Sequence, residues 1–226
     1  MITKMIRKTA VILVLICQTA LVIAQEKDFG IWYTIAAEKE IVKNLDLGVD
    51  FNLRTYHDAG EVEEGFVDLG FDYKINKAIS AAVSYRFTKA REDNEEYHTR
   101  HKWFADLKAK TSFGDLDLSG RVRFQQRHKT YFEDDNDRES KEHIRLRLKA
   151  SYDIPSFPLN PFLSSELFLP VFDHVTRTVD KQRFSGGFEY NISKKHAIEL
   201  EYMFQRDFFP KEVDMNIISV GYGIKL

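Results

Sequence analysis

The chain has 226 residues, 30% of them charged and 43% hydrophobic, and its formal charge of −2 does not suit a binder of nucleic acid or anionic lipid. So many charges would normally mark a soluble protein, but a membrane barrel escapes that rule because only every second residue must face lipid. Cys17 is the only cysteine, so a disulfide framework is excluded, and with it a multi-cysteine metal site.

Residues 1–25 read as a secretory signal peptide. Lys4, Arg7 and Lys8 form a positive start, Ala10 to Ile23 is almost wholly apolar, and cleavage is expected after Ala24 or Gln25. The alternative is an N-terminal membrane anchor, although the apolar run is shorter than a comfortable ~20-residue span. Ile16, just before Cys17, is too large for a lipoprotein signal. Cleavage removes three cations and no anion, takes the formal charge to −5, and leaves residues 26–226 as one domain.

Phe29 to Ala37 is a first strand-like piece. The alternation then becomes strict: Leu45, Leu47, Val49, Phe51 and Leu53 are separated by Asp46, Gly48, Asp50 and Asn52. A strand turns successive side chains to opposite faces, so this segment has one apolar and one polar face. Val67 to Ile75 opposes Asp68, Gly70, Asp72 and Lys74 to its apolar set, and Ile79 to Phe87 opposes Ser80, Ala82, Ser84 and Arg86. Trp103, Ala105 and Leu107 oppose Lys102, Phe104, Asp106 and Lys108. Val122 and Phe124 oppose Arg121, Arg123 and Gln125, while Ile144, Leu146 and Leu148 oppose Arg145, Arg147 and Lys149. Segment 162–172 is apolar on both faces, with Glu166 its lone charge. Phe184 to Ile192, Ile198 to Phe204 and Ile218 to Leu226 complete the series.

Each segment is long enough to cross a bilayer as a tilted strand, which takes roughly 9–11 residues. Backbone polar groups inside hydrocarbon must all be paired, so such a sheet has to close. Short connections (near 76–77, 111–114, 155–161 and 193–196) alternate with longer charged ones (57–64, 90–97, 131–141, 173–181 and 208–214). That is the pattern of an outer-membrane barrel with its short turns in the periplasm. The sequence therefore predicts an all-β fold: a transmembrane antiparallel β-barrel of about 10 strands. The ten strands from Leu45 to Leu226 are expected to close by themselves. Residues 29–37 are then an accessory segment in the lumen or beside the seam; a twelve-stranded barrel is the alternative.

Asp28-Phe29-Gly30-Ile31-Trp32, the Leu45 to Arg54 strand and the Tyr73-Lys74-Ile75-Asn76-Lys77 turn resemble an uncharacterised outer-membrane family, domain of unknown function 2490. The resemblance spans essentially the mature chain. It implies an outer-membrane barrel of a Gram-negative cell and supplies no activity. Ser219-x-Gly221-x-x-Ile224-x-Leu226 is also similar to the C-terminal signal read by the barrel assembly machinery, although Leu226 departs from the usual terminal aromatic.

The predicted inward faces carry the functional candidates. Arg121, Arg123 and Arg127 share one strand, and Arg145, Arg147 and Lys149 the next. Asp46, Asp50, Asp68 and Asp72 make one acidic patch; Glu189, Glu199 and Glu201 make another. Two readings are open: a charged wall that orients small polar or anionic solutes, porin-like, or a network of ion pairs filling a narrow lumen in a structural or surface-interaction barrel. Barrels of about 8 strands are just filled by side chains and those of 16–18 hold an open channel, so ten to twelve strands lie near the filled end.

His57, His98, His128, His143 and His174 fall near the outer loop ends, with Asp58 and Asp173 beside two of them. A histidine with a positioned carboxylate can activate water, which admits a rim hydrolase acting on lipid or peptide, but no spacing is diagnostic and no catalytic residue is assigned. Glu133, Asp134, Asp135, Asp137, Glu139 and Glu142 offer oxygen ligands to a divalent cation; they lack the EF-hand order, Arg138 and Lys141 dilute them, and a solvated loop is the plainer reading. No Gly-rich phosphate loop or nucleophile elbow occurs, so no cofactor and no metal are expected. The expected partners are outer-membrane lipid and lipopolysaccharide, the assembly machinery and small polar solutes, with no nucleic acid.

Overall fold

Period-2 alternation over most of the chain leaves the backbone one way to satisfy itself in hydrocarbon, a sheet without edges. The computed structural model describes residues 28–92, 95–131, 141–171, 178–209 and 212–226 and shows that sheet. Its strands are β1 (Asp28–Val42), β2 (Leu45–Tyr56), β3 (Glu61–Lys74), β4 (Ile79–Arg91), β5 (Tyr97–Phe113), β6 (Leu116–Lys129), β7 (Lys141–Tyr152), β8 (Leu159–Val171), β9 (Lys181–Asn191), β10 (His196–Asp207) and β11 (Val213–Lys225). Consecutive strands pair antiparallel, and β1 closes the barrel against β11. Residues 1–25, read as the signal peptide, lie outside the described residues.

The predicted apolar faces point outward. Val83, Trp103, Leu148 and Leu163 are each more than half exposed, at 59, 56, 71 and 71%. A water-facing surface does not carry so continuous an apolar band, but a lipid-facing one requires it. The connections also sort by end. Residues 43–44, 75–78, 114–115, 153–158 and 192–195 make short turns at one end, and 57–60, 92–96, 130–140, 172–180 and 208–212 join strands at the other.

The strand count departs from the predicted ring of ten. Residues 29–37 are not an accessory: they lie within a 15-residue strand that is part of the wall. Ile31, Tyr33 and Ile35 point out while Gly30, Trp32, Thr34 and Ala36 point in. Both edges of β1 are occupied, by β2 antiparallel and by β11 parallel, from Asp28 opposite Met215 to Glu38 opposite Lys225. Eleven strands cannot close with every pair antiparallel, so one parallel seam is forced. Residues 162–171 of the segment that reads as apolar on both faces lie in β8, whose inward side carries Phe162 and Phe168 beside Glu166, and these rings are the reason for that reading.

The first residues of β1 are fixed by a close approach. A Cβ on Gly30 would lie 2.4 Å from the Thr55 carbonyl oxygen. The Thr55 hydroxyl accepts a hydrogen bond from the Ile31 N–H at 2.9 Å and donates one to the Ile31 carbonyl at 3.1 Å. A register shift between Arg54 and Thr55 lies at the same point in the β2–β3 ladder.

Two outcomes are expected. Val49→Arg places a charge on the lipid face, where it costs ~2–4 kcal/mol near the bilayer midplane. It should impair assembly, whereas Asp50→Asn on the opposite face should not; fractionation and heat-modifiable gel mobility report both. Gly30→Val should release the start of β1 and lower protease resistance. Gly48→Ala, whose added Cβ meets nothing nearer than 4.0 Å, should leave the barrel intact.

Candidate functional site: a two-chambered charged lumen

Closure sends the polar faces of all eleven strands into a narrow interior, where the described residues line two large cavities. One, of about 990 Å³, lies at the loop end; the other, of about 790 Å³, lies at the turn end, and Arg121 and Arg123 line both. These two arginines therefore mark the neck. The turn-end cavity exists because its wall from β1 to β4 and β11 is small: Ala36, Gly48, Gly70, Ala82, Ser84 and Gly223. The long cations of β5 to β9 crowd the opposite wall.

Strand register creates an electrostatic conflict at the neck. Arg121 stands directly opposite Arg147, and Arg123 opposite Arg145. Like charges facing across strands are destabilising, so neighbouring strands must compensate. Asp106 on β5 takes Arg123 in a two-point pair, at 2.6 and 2.7 Å. Glu166 on β8, 6% exposed, accepts from Arg121 Nη2 through Oε1 and from Arg145 Nη2 through Oε2, each at 2.6 Å. Arg183 Nη1 approaches the same Oε2 at 3.9 Å. One carboxylate thus serves three guanidinium groups. Arg147 and Lys102 make no hydrogen bond or ion pair among the described residues.

The acidic patch shows the same conflict with the sign reversed. Asp46 faces Asp72 and Asp50 faces Asp68 across β2 and β3. Lys74 reaches Asp46 at 2.6 Å, Lys108 pairs with Asp72, and Arg86 grips Asp68 at 2.6 and 2.7 Å. Asp50 has no such partner among the described residues. Near the loop end Arg54 donates to Glu64 at 2.7 Å, and Lys181 lies 3.0 Å from Asp207.

Aromatic rings hold the cations in place. Arg54 lies 3.9 Å over Trp32, Arg86 3.6 Å over Phe66, Arg123 4.0 Å over Phe104, Arg145 4.2 Å over Phe168 and Lys149 3.7 Å over Phe162. A cation on a ring face is attracted by the ring quadrupole, and more strongly where water is scarce. The rings also supply the bulk that narrows the middle of the barrel.

Of the residues singled out from sequence, Asp46, Asp50, Asp68, Asp72 and Glu189 border the turn-end cavity. Arg127, Arg145, Arg147, Glu199 and Glu201 border the loop-end cavity, and Arg121 and Arg123 border both. Lys149 sits between Phe162 and Glu199, 3.4 Å from the latter carboxylate. Sequence reasoning did not find Glu166 as the hub, nor Trp32, Phe66, Phe104, Phe162 and Phe168 as the stacking surfaces. The available signal was parity: Phe66, Phe104 and Phe162 have polar or charged residues two positions away on both sides, and Phe168 has Glu166 on one.

Among the described residues the candidate histidines do not gather. His57 lies in the β2–β3 connection, 3.7 Å from Glu61, and His98 stacks on Tyr131. His128 stands opposite His101 on the outer face. His174 and Asp173 lie outside the described residues, as do Glu133, Asp134, Asp135, Asp137 and Glu139. His143 does acquire a carboxylate, Asp180, at 2.8 Å, a pairing that nothing in the sequence spacing announces. No group of three or more metal-ligating side chains forms among the described residues. In the β4–β5 connection, burial works to raise the Glu92 carboxyl. The hydrogen bond from Arg100 and the charges of Arg100 and Lys129 outweigh that and hold it below the usual carboxylate value.

Among the described residues, twelve Arg and Lys and eight Asp and Glu line the loop-end cavity, and three of those cations, Arg86, Arg123 and Arg100, pair with Asp68, Asp106 and Glu92, which do not line it. The turn-end cavity is nearly balanced, with six against seven.

An apolar exterior, a closed meander and a charged, narrow interior define a porin-like transmembrane β-barrel. Residues 29–216 match the family described as protein of unknown function DUF2490, and the chain belongs to that family. No curated protein matches its sequence. Among solved structures it is similar to the NanC porin, at 16% identity and a TM-score of 0.56, over 88% of this chain and 99% of that one. It is also similar to the beta domain of the Bordetella autotransporter BrkA, at 9% identity and a TM-score of 0.52, over 80% of this chain and 82% of that one. At such identities the likeness is one of fold.

Removing the hub carboxylate should cost far more than removing a surface pair. Glu166→Gln leaves two buried arginines without their counter-charge, a loss on the order of 3–5 kcal/mol. Arg206→Ala breaks the exposed Arg206–Asp214 pair on the outside and should cost less than about 1 kcal/mol. Urea unfolding of the barrel in lipid vesicles measures both.

Proposed function

We propose that the protein is an outer-membrane barrel that binds small anionic solutes and passes them through a narrow lumen. Residues 1–25 direct export. The Ser219 to Leu226 strand end is the segment presented to the assembly machinery, and the apolar band meets outer-membrane lipid and lipopolysaccharide. The observation that carries the functional reading is the positive remainder at the neck, where Arg121, Arg145 and Arg183 crowd Glu166 and Arg147 makes no ion pair among the described residues. A low-dielectric wall with one sign of charge in excess concentrates ions of the other sign at its mouth. If the short turns face the periplasm, the loop-end cavity is the outward-facing one.

The competing reading is a lumen closed by mutual neutralisation. Asp68, Asp106 and Glu64 do neutralise Arg86, Arg123 and Arg54 one for one. That scheme stops at Arg121, Arg145 and Arg183, which share Glu166, and at Arg147, which makes no ion pair among the described residues; this remainder favours the solute reading.

Planar-bilayer recording with a salt gradient tests it. Wild-type barrel should give small conductance steps and a reversal potential displaced toward the anion. Arg121→Ala/Arg145→Ala should lose most of that displacement while conductance persists. Well-folded protein that never conducts would overturn the channel reading in favour of a structural barrel.

A further inference from the structure

The neck has more guanidinium donors than Glu166 can take. Arg121 and Arg145 each spend Nη2 on Glu166, and the Nε–H of each is buried with no hydrogen-bond partner. Buried donors left unpaired are costly and uncommon in native proteins. Arg147, directly opposite both Arg121 and Glu166 in the strand register, is unpartnered among the described residues. Arg183 completes the set from β9, with its Nε given to Gln205 at 2.8 Å. Four guanidinium groups thus crowd one hydrogen-bonded carboxylate, with Glu201 and Asp207 the further acids of the same cavity and the neighbouring Arg123 already matched by Asp106, so cations outnumber carboxylates around the hub.

We propose that this neck is a binding site for a doubly charged oxyanion group, of phosphate or dicarboxylate type, seated beside Glu166 on the unpaired Nε–H donors of Arg121 and Arg145 and on the guanidinium of Arg147, the Nη1 of Arg145 being given to Gln125 at 3.3 Å. The proposal rests on the anionic-solute reading and sharpens it to a charge class. A spherical monoanion satisfies charge but not direction. An oxyanion accepts two parallel N–H bonds from a planar guanidinium fork. A dianion offsets more of the cation excess at the neck than a monovalent carboxylate does. Glu166 already shows that a carboxylate fits between two of these arginines at hydrogen-bonding distance.

The barrel carries its own reporter. Trp32 faces the lumen with Arg183 4.9 Å from its ring, and Arg183 in turn approaches Glu166, whereas Trp103 faces lipid. In a Trp103→Phe variant, Trp32 is the one remaining tryptophan, and its fluorescence reads the neck. The refolded variant in detergent is titrated at pH 8 and constant ionic strength with inorganic phosphate, succinate, acetate and chloride, and calorimetry with the same anions repeats the measurement independently of the reporter. Saturable binding of phosphate or succinate is expected, with half-saturation at least roughly tenfold lower than for acetate, the ratio that 1.4 kcal/mol corresponds to. Arg147→Gln should weaken it by a similar factor, and Arg206→Gln on the outer surface should leave it unchanged. Saturation by phosphate alone or succinate alone assigns the group.

Equal affinity for acetate, an unaltered titration in Arg147→Gln, or no saturation by either method overturns the proposal. The two ideas fail separately. Saturable dianion binding in a barrel that never conducts would sink the channel and keep the site. An anion-selective conductance without saturable binding would do the reverse.

Discussion

No backbone N–H or C=O can be left unpaired in hydrocarbon, where each such group costs several kcal/mol. The wall therefore closes completely, even at an odd strand number that requires a parallel ladder. Closure then dictates side-chain placement, because every strand must show alternate residues to lipid. Arg121 and Arg123 cannot avoid Arg147 and Arg145: Val122, Phe124, Leu146 and Leu148 take the outer positions, and the register sets the inner ones face to face.

The interior responds to this imposed crowding in three ways. Carboxylates from flanking strands take the arginines singly where they can, as Asp106 takes Arg123 and Asp68 takes Arg86. Aromatic rings sit under the guanidinium planes, so apolar bulk appears on a face that otherwise reads as polar. Where neither device suffices, at Glu166, one acid is shared. The two chambers are the geometric residue of this arrangement. Bulky cation–ring stacks fill the middle, and the small residues of the β1–β4 wall leave room at the turn end.

Much of this was legible from the chain and some was not, for physical reasons. Alternation is a local property, so the facing of Leu45 to Leu53 or of Arg145 to Lys149 follows from parity alone. The closing partner of β1 is not local: Ile31, Tyr33 and Ile35 show a strand but do not say which edge accepts it, and the preference for even barrels argued against a place in the wall. Glu166 was visible as an isolated charge. Its role depends on reaching diagonally past Arg147, directly opposite it, to Arg121 and Arg145, a three-strand relation that no spacing encodes. Phe66, Phe104, Phe162 and Phe168 blurred the reading because hydrophobicity alone cannot separate a ring bound for lipid from one that carries a cation. The His143–Asp180 pair joins residues 37 apart and was likewise out of reach.

The parallel seam also has a mechanical meaning. Every other junction in the wall joins strands adjacent in sequence and can form as a hairpin grows. The β1–β11 ladder joins Asp28 to Met215 and Glu38 to Lys225, nearly the full length of the domain apart. Loop-closure entropy makes such a contact the slowest to gain, and parallel pairing is slightly weaker per residue than antiparallel. The barrel thus has a built-in zip line: the last joint to be sealed during insertion, and the first to part if the wall is pulled open sideways.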